Sequence, residues 1–201
     1  MGVRTKRVAV LGGGIGGMTA AAAFHQRGFE VAVYERAATL GEVGFGLQLG
    51  PNAVKVARAI GIFDELIKFA VEPTAMVSVT WDEAKLRFRN PFEGVMRRRF
   101  DAPYMMAHRP DLHQALIGKV PASAIHLNKT CISIANTPQG ATAAFADGTS
   151  IEADVIFGAD GIHSIVRTQL FGESAARFTK QICWRAMVPM QYAPTDVGPN
   201  G

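Results

Sequence analysis

Gly12, Gly14 and Gly17 stand at the spacing G-x-G-x-x-G, directly after the apolar run VAVL and ahead of an alanine-rich stretch. Glycine at the first position permits a tight turn with positive φ at a strand end. At the second, no Cβ keeps a pyrophosphate from the backbone; at the third, a helix can pack close to the strands. The free N–H groups at the helix start, together with the helix dipole, favour phosphate charge. Glu35 follows about 20 residues on, ending a second apolar run, where its carboxylate would accept hydrogen bonds from a ribose diol. Like-charge repulsion makes that carboxylate a poor neighbour for a 2′-phosphate, although Arg36 beside it softens the effect. The chemistry is therefore binding of a dinucleotide, FAD or NAD in preference to NADP. The alternative, a glycine-rich turn that holds nothing, is disfavoured by the strand–turn–helix–strand context.

Three later stretches carry further polar groups at turns. Gly41–Asn52 is a second glycine-rich segment, GEVGFGLQLGPN, that places Gln48 among glycines and reads as a loop. His108-Arg109-Pro110-Asp111-Leu112-His113 puts a cation at a helix start, where the dipole gives it nothing, so Arg109 is either solvated or set against an anionic ligand. Asp160-Gly161-Ile162-His163-Ser164-Ile165-Val166-Arg167 follows a strand and opens a helix, so Asp160 can cap that helix, touch a ligand, or both. Cys131 and Cys183 lack the short spacing of a zinc site or a disulfide framework, and they suit a reducing cytoplasm. His126 and His163 have no metal-ligand spacing and read as structural or surface residues.

These groups need elements to hold them. Residues 6–11 read as a buried strand, 14–27 as a helix closed by Gly28, and 30–34 as a second strand. That is strand–helix–strand within about 30 residues, the unit of a parallel sheet. Helices are expected over 51–60, 63–69, 109–120 and 164–170, two of them with proline in the first turn. Strands are expected over 74–81 and 85–89, followed by a loop at Asn90-Pro91. A meander follows over 125–135, 141–145 and 150–157, with turns at Pro138-Gln139-Gly140 and Asp147-Gly148, and a last strand over 186–190.

The composition of the 201 residues supports a core: 48% are hydrophobic and 19% charged, which argues against global disorder. Part of the formal charge of +4 sits in Arg97-Arg98-Arg99, read as a solvated face; no nucleic-acid motif accompanies it. No apolar stretch reaches the roughly 18 residues that would span a bilayer, so no integral membrane segment is expected. The start, basic residues before VAVLGGGIGGMTAAAAF, mimics a signal peptide, but the glycines fit the strand–turn–helix reading better.

Taken in order, G-x-G-x-x-G with Glu35, G-x-G-L-x-L-G-P-N, H-R-x-D-L-H and G-A-D-G-x-x-S-x-x-R resemble the single-component FAD-dependent aromatic hydroxylases of the para-hydroxybenzoate and salicylate hydroxylase kind. The resemblance runs to about Pro189. It implies an α/β fold: a Rossmann-like FAD-binding domain with a β-meander, over residues 1–72 and 101–175, plus part of a mainly β substrate domain, over 73–100 and 176–201. It implies FAD as cofactor and NADH or NADPH as co-substrate. It also implies a monooxygenase that hydroxylates a small aromatic molecule with dioxygen by way of a flavin hydroperoxide.

The resemblance also implies roles. Gly12, Gly14, Ile15 and Gly17 would line the pyrophosphate of FAD, with Glu35 and Arg36 at the adenosine ribose. Arg109 would reach the ribityl–pyrophosphate stem, which its fork of donors suits. Cys131 would lie where main chain meets the adenine, as a packed, inert thiol. Asp160 would serve both FAD and the nicotinamide nucleotide, with Arg167 paired to it. Gln48 would face flavin and substrate; some relatives carry histidine there, but glutamine cannot titrate and could only orient substrate. Arg185 and Tyr192 are weaker candidates in the substrate-domain part.

The family's chains are longer and carry a later Gly-Asp motif, so this chain corresponds to the N-terminal portion. The competing expectations are a truncated, non-catalytic flavin-binding or interaction fragment, and an NAD-dependent dehydrogenase. The second is disfavoured because the Asp160–Arg167 motif and the meander have no place in that fold.

Overall fold

The computed structural model describes residues 5–41, 44–184 and 189–192. Packing divides the chain into two compact units, residues 1–42 with 113–182 and residues 43–112 with 183–201. Arg185 and most of the strand expected over 186–190 lie outside the described residues; Met190–Tyr192 form a 3-10 turn.

The chain enters the first unit through β1 (Arg7–Leu11), α1 (Ile15–Gln26) and β2 (Glu30–Tyr34). Four consecutive residues of β1, Val8 to Leu11, are almost fully buried, because the strand is covered on both faces. Gly17, Met18, Ala21 and Ala22 of α1 are buried too, and the glycine and the alanines let the helix lie close to the sheet. Gly28 ends the helix in the left-handed region at φ +81°, donating its N–H to the carbonyl of His25.

The second unit holds β3 (Gly46–Leu49), α2 (Pro51–Ala59), α3 (Phe63–Phe69), β4 (Ala75–Val79), β5 (Leu86–Pro91), α4 (Val95–Phe100) and β6 (Met105–His108). β4 and β5 form an antiparallel hairpin with a bulge at Ser78/Val79, and β5 runs through Asn90 and Pro91, which were expected as loop. Arg97, Arg98 and Arg99 lie exposed on α4, with Arg97 paired to Glu72. The glycine-rich segment expected as loop contains β3, which pairs antiparallel with β6. The short alternation Leu47-Gln48-Leu49 is hidden among Gly41, Gly44, Gly46 and Gly50, yet its backbone finds its partner some 60 residues on, Gly46 facing His108.

α5 (Arg109–Ile117) spans the boundary between the units. The chain then completes the first unit with β7 (Ile125–His126), β8 (Cys131–Thr137), β9 (Gly140–Phe145), β10 (Ser150–Ala153), β11 (Val155–Gly158) and α6 (Ile165–Phe171). Two of the expected meander strands each divide in two. The run 125–135 splits at residues 127–130, and 150–157 splits at Asp154, whose carboxylate and N–H bind the backbone of Arg7. The result is a parallel sheet in the order β11-β1-β2-β7 and a separate antiparallel sheet β10-β9-β8. Leu11, Ala143, Phe145 and Val166 form one buried cluster between these layers, with Tyr34, Cys131 and Ile156 packed around it.

Candidate functional site

In the first unit, β1 delivers the chain into the glycine turn. Gly12 adopts φ +109°, and a Cβ on it would run into the carbonyl oxygen of Ala159. A Cβ on Gly17 would strike the carbonyl oxygen of Gly12, so the third glycine is what lets α1 cross the end of β1. Gly14 is the extended N-cap of α1, with φ −71° and ψ −179°. It supplies no side-chain cap, and the first turn holds no acidic residue. The first intrahelical bond at this end is Met18 N–H to Gly14 carbonyl at 2.9 Å, which leaves the N–H groups of Ile15, Gly16 and Gly17 without a helical partner. The turn thus offers donors and a positive dipole end, with glycine where side chains would intrude.

Glu35, half-buried at the end of β2, reaches this turn. Its Oε2 accepts from the Gly13 N–H at 2.6 Å and its Oε1 from the Ala37 N–H at 2.9 Å. A carboxylate has about four lone-pair sites, so acceptor capacity remains for a ligand hydroxyl. Arg36 is exposed next to it.

Across the parallel sheet, β11 ends in a second strand-to-helix turn. Asp160 there accepts from Ser164 Oγ at 2.5 Å, from Ile165 N–H at 2.7 Å and from Val166 N–H at 3.2 Å. Ser164 Oγ in turn accepts from Arg167 N–H at 2.9 Å. Ser164, rather than Asp160, is the N-cap residue of α6; Asp160 caps from four residues upstream, by accepting from the first two helical N–H groups. The pairing expected between Arg167 and Asp160 is not met: the Arg167 guanidinium donates to the Ile162 carbonyl at 3.0 Å. Cys131 packs beside the buried cluster, and burial pushes its thiol above the ordinary range, with the charge of Asp160 adding to the shift. That fits an inert thiol. His126 stacks on Tyr34 with centroids 4.9 Å apart, and His163 is exposed.

The second unit holds Gln48 and Arg109. On the β3–β6 ladder, Leu47, Leu49, Met105 and Ala107 share the better-buried face, while Gln48 opposes Met106 on the other. His108 shares the face of Gln48 and contacts Asp111 at 3.1 Å through Nδ1. Arg109 continues from β6, its N–H donating to the Phe45 carbonyl at 3.2 Å. A Cβ on Gly44 would crowd its Cβ and Cδ at 3.1 and 3.2 Å, so glycine there gives the arginine stem its room. Tyr192 is exposed in its 3-10 turn. Among the described residues, no group of three or more His, Cys, Asp or Glu could hold a metal ion, and no helix is long and apolar enough to cross a membrane.

One residue escaped the sequence reading. His113, one turn beyond Arg109 on α5, is 2% exposed and binds the Gly13 carbonyl through Nε2 at 2.6 Å. The only signal was its place in the H-R-x-D-L-H run.

The comparisons with known proteins bear on this geometry. Residues 5–195 match the family model described as "FAD binding domain". The chain is 36% identical over 192 residues to 3-amino-4-hydroxybenzoate 2-monooxygenase of Streptomyces cremeus, covering 96% of this chain and 48% of that protein. It is 34% identical over 192 residues to 6-hydroxynicotinate 3-monooxygenase of Bordetella bronchiseptica, covering 96% and 49%. Among solved structures, a variant of 2-methyl-3-hydroxypyridine-5-carboxylic acid oxygenase superposes with a TM-score of 0.71 at 31% identity, over 84% of this chain and 43% of that one. The chain therefore spans about half the length of these relatives.

Proposed function

Since this chain belongs to the FAD binding domain family, we propose that it forms the flavin-holding, N-terminal portion of a monooxygenase that hydroxylates a small aromatic or heteroaromatic molecule. NADH or NADPH and dioxygen are its co-substrates. The observation that carries this reading is the bare start of α1: a glycine cradle, no side-chain cap, and Glu35 bound to the same turn.

FAD, when bound, supplies the redox and oxygen-transfer chemistry. The chain's own residues bind and orient. Gly12, Gly14, Ile15 and Gly17 form the seat for the pyrophosphate, where backbone N–H groups meet its charge. The free lone pairs of Glu35 receive the adenosine ribose, with Arg36 at the rim. Cys131 contributes packing beside the adenine and no chemistry. Asp160 shapes the neighbouring turn and serves FAD and the nicotinamide nucleotide through it. In the second unit, Arg109 holds the stem of the cofactor and Gln48 orients the ring substrate by hydrogen bonds, without taking a proton. By role we assign residues 1–72 and 101–175 to FAD binding and 73–100 and 176–201 to the substrate domain, a division that cuts across the two compact units. Free thiols at Cys131 and Cys183 support a reducing, cytoplasmic setting.

The test is to purify the protein, measure bound or added FAD by its visible absorbance, and follow NADH and NADPH oxidation with hydroxylated benzoates and nicotinates. Flavin uptake with substrate-stimulated oxidation supports the proposal. Flavin uptake without turnover would leave a flavin-binding module, and tight NAD binding with no affinity for flavin would contradict the reading.

A further inference from the structure

Gly13 is held from both sides. Its N–H donates to Glu35 Oε2 at 2.6 Å, and its carbonyl accepts from His113 Nε2 at 2.6 Å. The two partners lie 22 and 100 residues away in sequence. A Cβ on Gly13 would meet Leu40 Cδ2 at 2.8 Å and Glu35 Cβ at 3.1 Å, so a glycine there is a condition for the carboxylate to come this close.

The geometry points to His113 as a positioning residue for the dinucleotide turn. A trans peptide aims its C=O and N–H in opposite directions. The Gly13 carbonyl belongs to the same peptide plane as the Gly14 N–H. Drawing that oxygen inward to the buried imidazole therefore turns the Gly14 N–H away from the core. In the same way, Glu35 draws the Gly13 N–H to itself and sends the Gly12 carbonyl the other way. If the Gly13–Gly14 peptide flipped, an oxygen would replace a donor at the start of α1, and an anion there would meet repulsion.

The imidazole is a costly choice for this place. A carbonyl only accepts, so Nε2 must carry the proton; Nδ1 is buried with no partner among the described residues. An orphan buried polar atom is unfavourable, and an aliphatic side chain would fill the space without one. The Nε2 bond to Gly13 is the one hydrogen bond the ring makes among the described residues, and it is the bond that gives the ring its use.

This inference rests on the flavin reading above, and the experiment separates the two. Glutamine and methionine have nearly the same shape, but only glutamine donates. FAD affinity is measured by flavin fluorescence for the unmodified protein, His113→Gln and His113→Met. The amide signals of Gly13 and Gly14 are followed in each without ligand. His113→Gln should bind FAD within about threefold of the unmodified protein, whereas His113→Met should bind about tenfold more weakly, the scale of one lost hydrogen bond. The Gly14 amide should broaden or move in the methionine variant alone. If that variant fails to fold, His113→Leu, another side chain of similar size without a donor, takes its place. Equal FAD affinities with unmoved glycine amides in both variants would overturn the positioning role. An unmodified protein that takes up no FAD would overturn the flavin reading, and the glycine amides would then decide the clamp on their own.

Discussion

The two strand-to-helix turns on adjacent strands of the parallel sheet solve one problem in opposite ways. After β11, Asp160 and Ser164 occupy the donors at the start of α6 with their own side chains. After β1, α1 starts on Gly14 with no side-chain cap and no acidic residue in its first turn. A helix start needs acceptors, and the chain provides them at one turn and withholds them at the other. The uncapped start is the one on which an outside anion gains the most. Position alone does not make a phosphate seat, since both turns leave C-terminal strand ends of the same sheet. The difference lies in which residues carry a side chain.

The largest test of that contrast is Gly17→Val. The added side chain would collide with the Gly12 carbonyl, a backbone atom with little freedom to yield. Overpacking costs about 1–3 kcal/mol. Thermal melting should show that loss, and FAD titration should show affinity down by about a hundredfold or more, since the N–H groups no longer converge. Valine tolerated with unchanged FAD binding would break the contrast from the α1 side.

Asp160→Ala tests the other turn. It removes the acceptor for two backbone N–H groups and one hydroxyl. A lost cap costs about 1–2 kcal/mol, so chemical denaturation should shift to lower denaturant, while Asp160→Asn recovers part of the loss. Smaller again is Glu35→Gln. The turn keeps an acceptor but loses a charged one, and charge-assisted hydrogen bonds are about twice as strong as neutral ones. Calorimetric titration should find FAD bound about fivefold more weakly, and a tighter complex would argue against Glu35 as the ribose acceptor.

The smallest effect concerns Cys131, beside the Asp160 turn. Burial holds its thiol above the ordinary value, so its reactive thiolate appears only as pH rises past that value. Alkylation followed by mass spectrometry should modify the exposed Cys183 first at neutral pH. The Cys131 rate should still be climbing in the alkaline range. A Cys131 rate that is already flat at neutral pH would contradict the inert assignment.

The glycine turn was legible in the sequence because its demands are local. A positive φ at Gly12 and a close crossing at Gly17 depend on residues within one turn of each other. The Asp160 cap was legible for the same reason. What stayed hidden depends on distant partners. β3 lies within a glycine-rich segment and becomes a strand because β6 supplies the other half of its ladder. The break at Asp154 interrupts a run that alternates well enough to pass for one strand, and it arises from the bonds of that residue to Arg7. His113 looks like any helix histidine until the fold brings Gly13 to it.

The central claim is that the anion of the cofactor rests on the start of α1. Amide spectra of the labelled protein, recorded as FAD is added, test it most directly. The signals of Ile15, Gly16 and Gly17 should move downfield as their N–H groups take up the pyrophosphate, while those of Ile165, Val166 and Arg167, already bound by Asp160 and Ser164, should hold nearly still. FAD binding that leaves residues 15–17 in place would contradict the account.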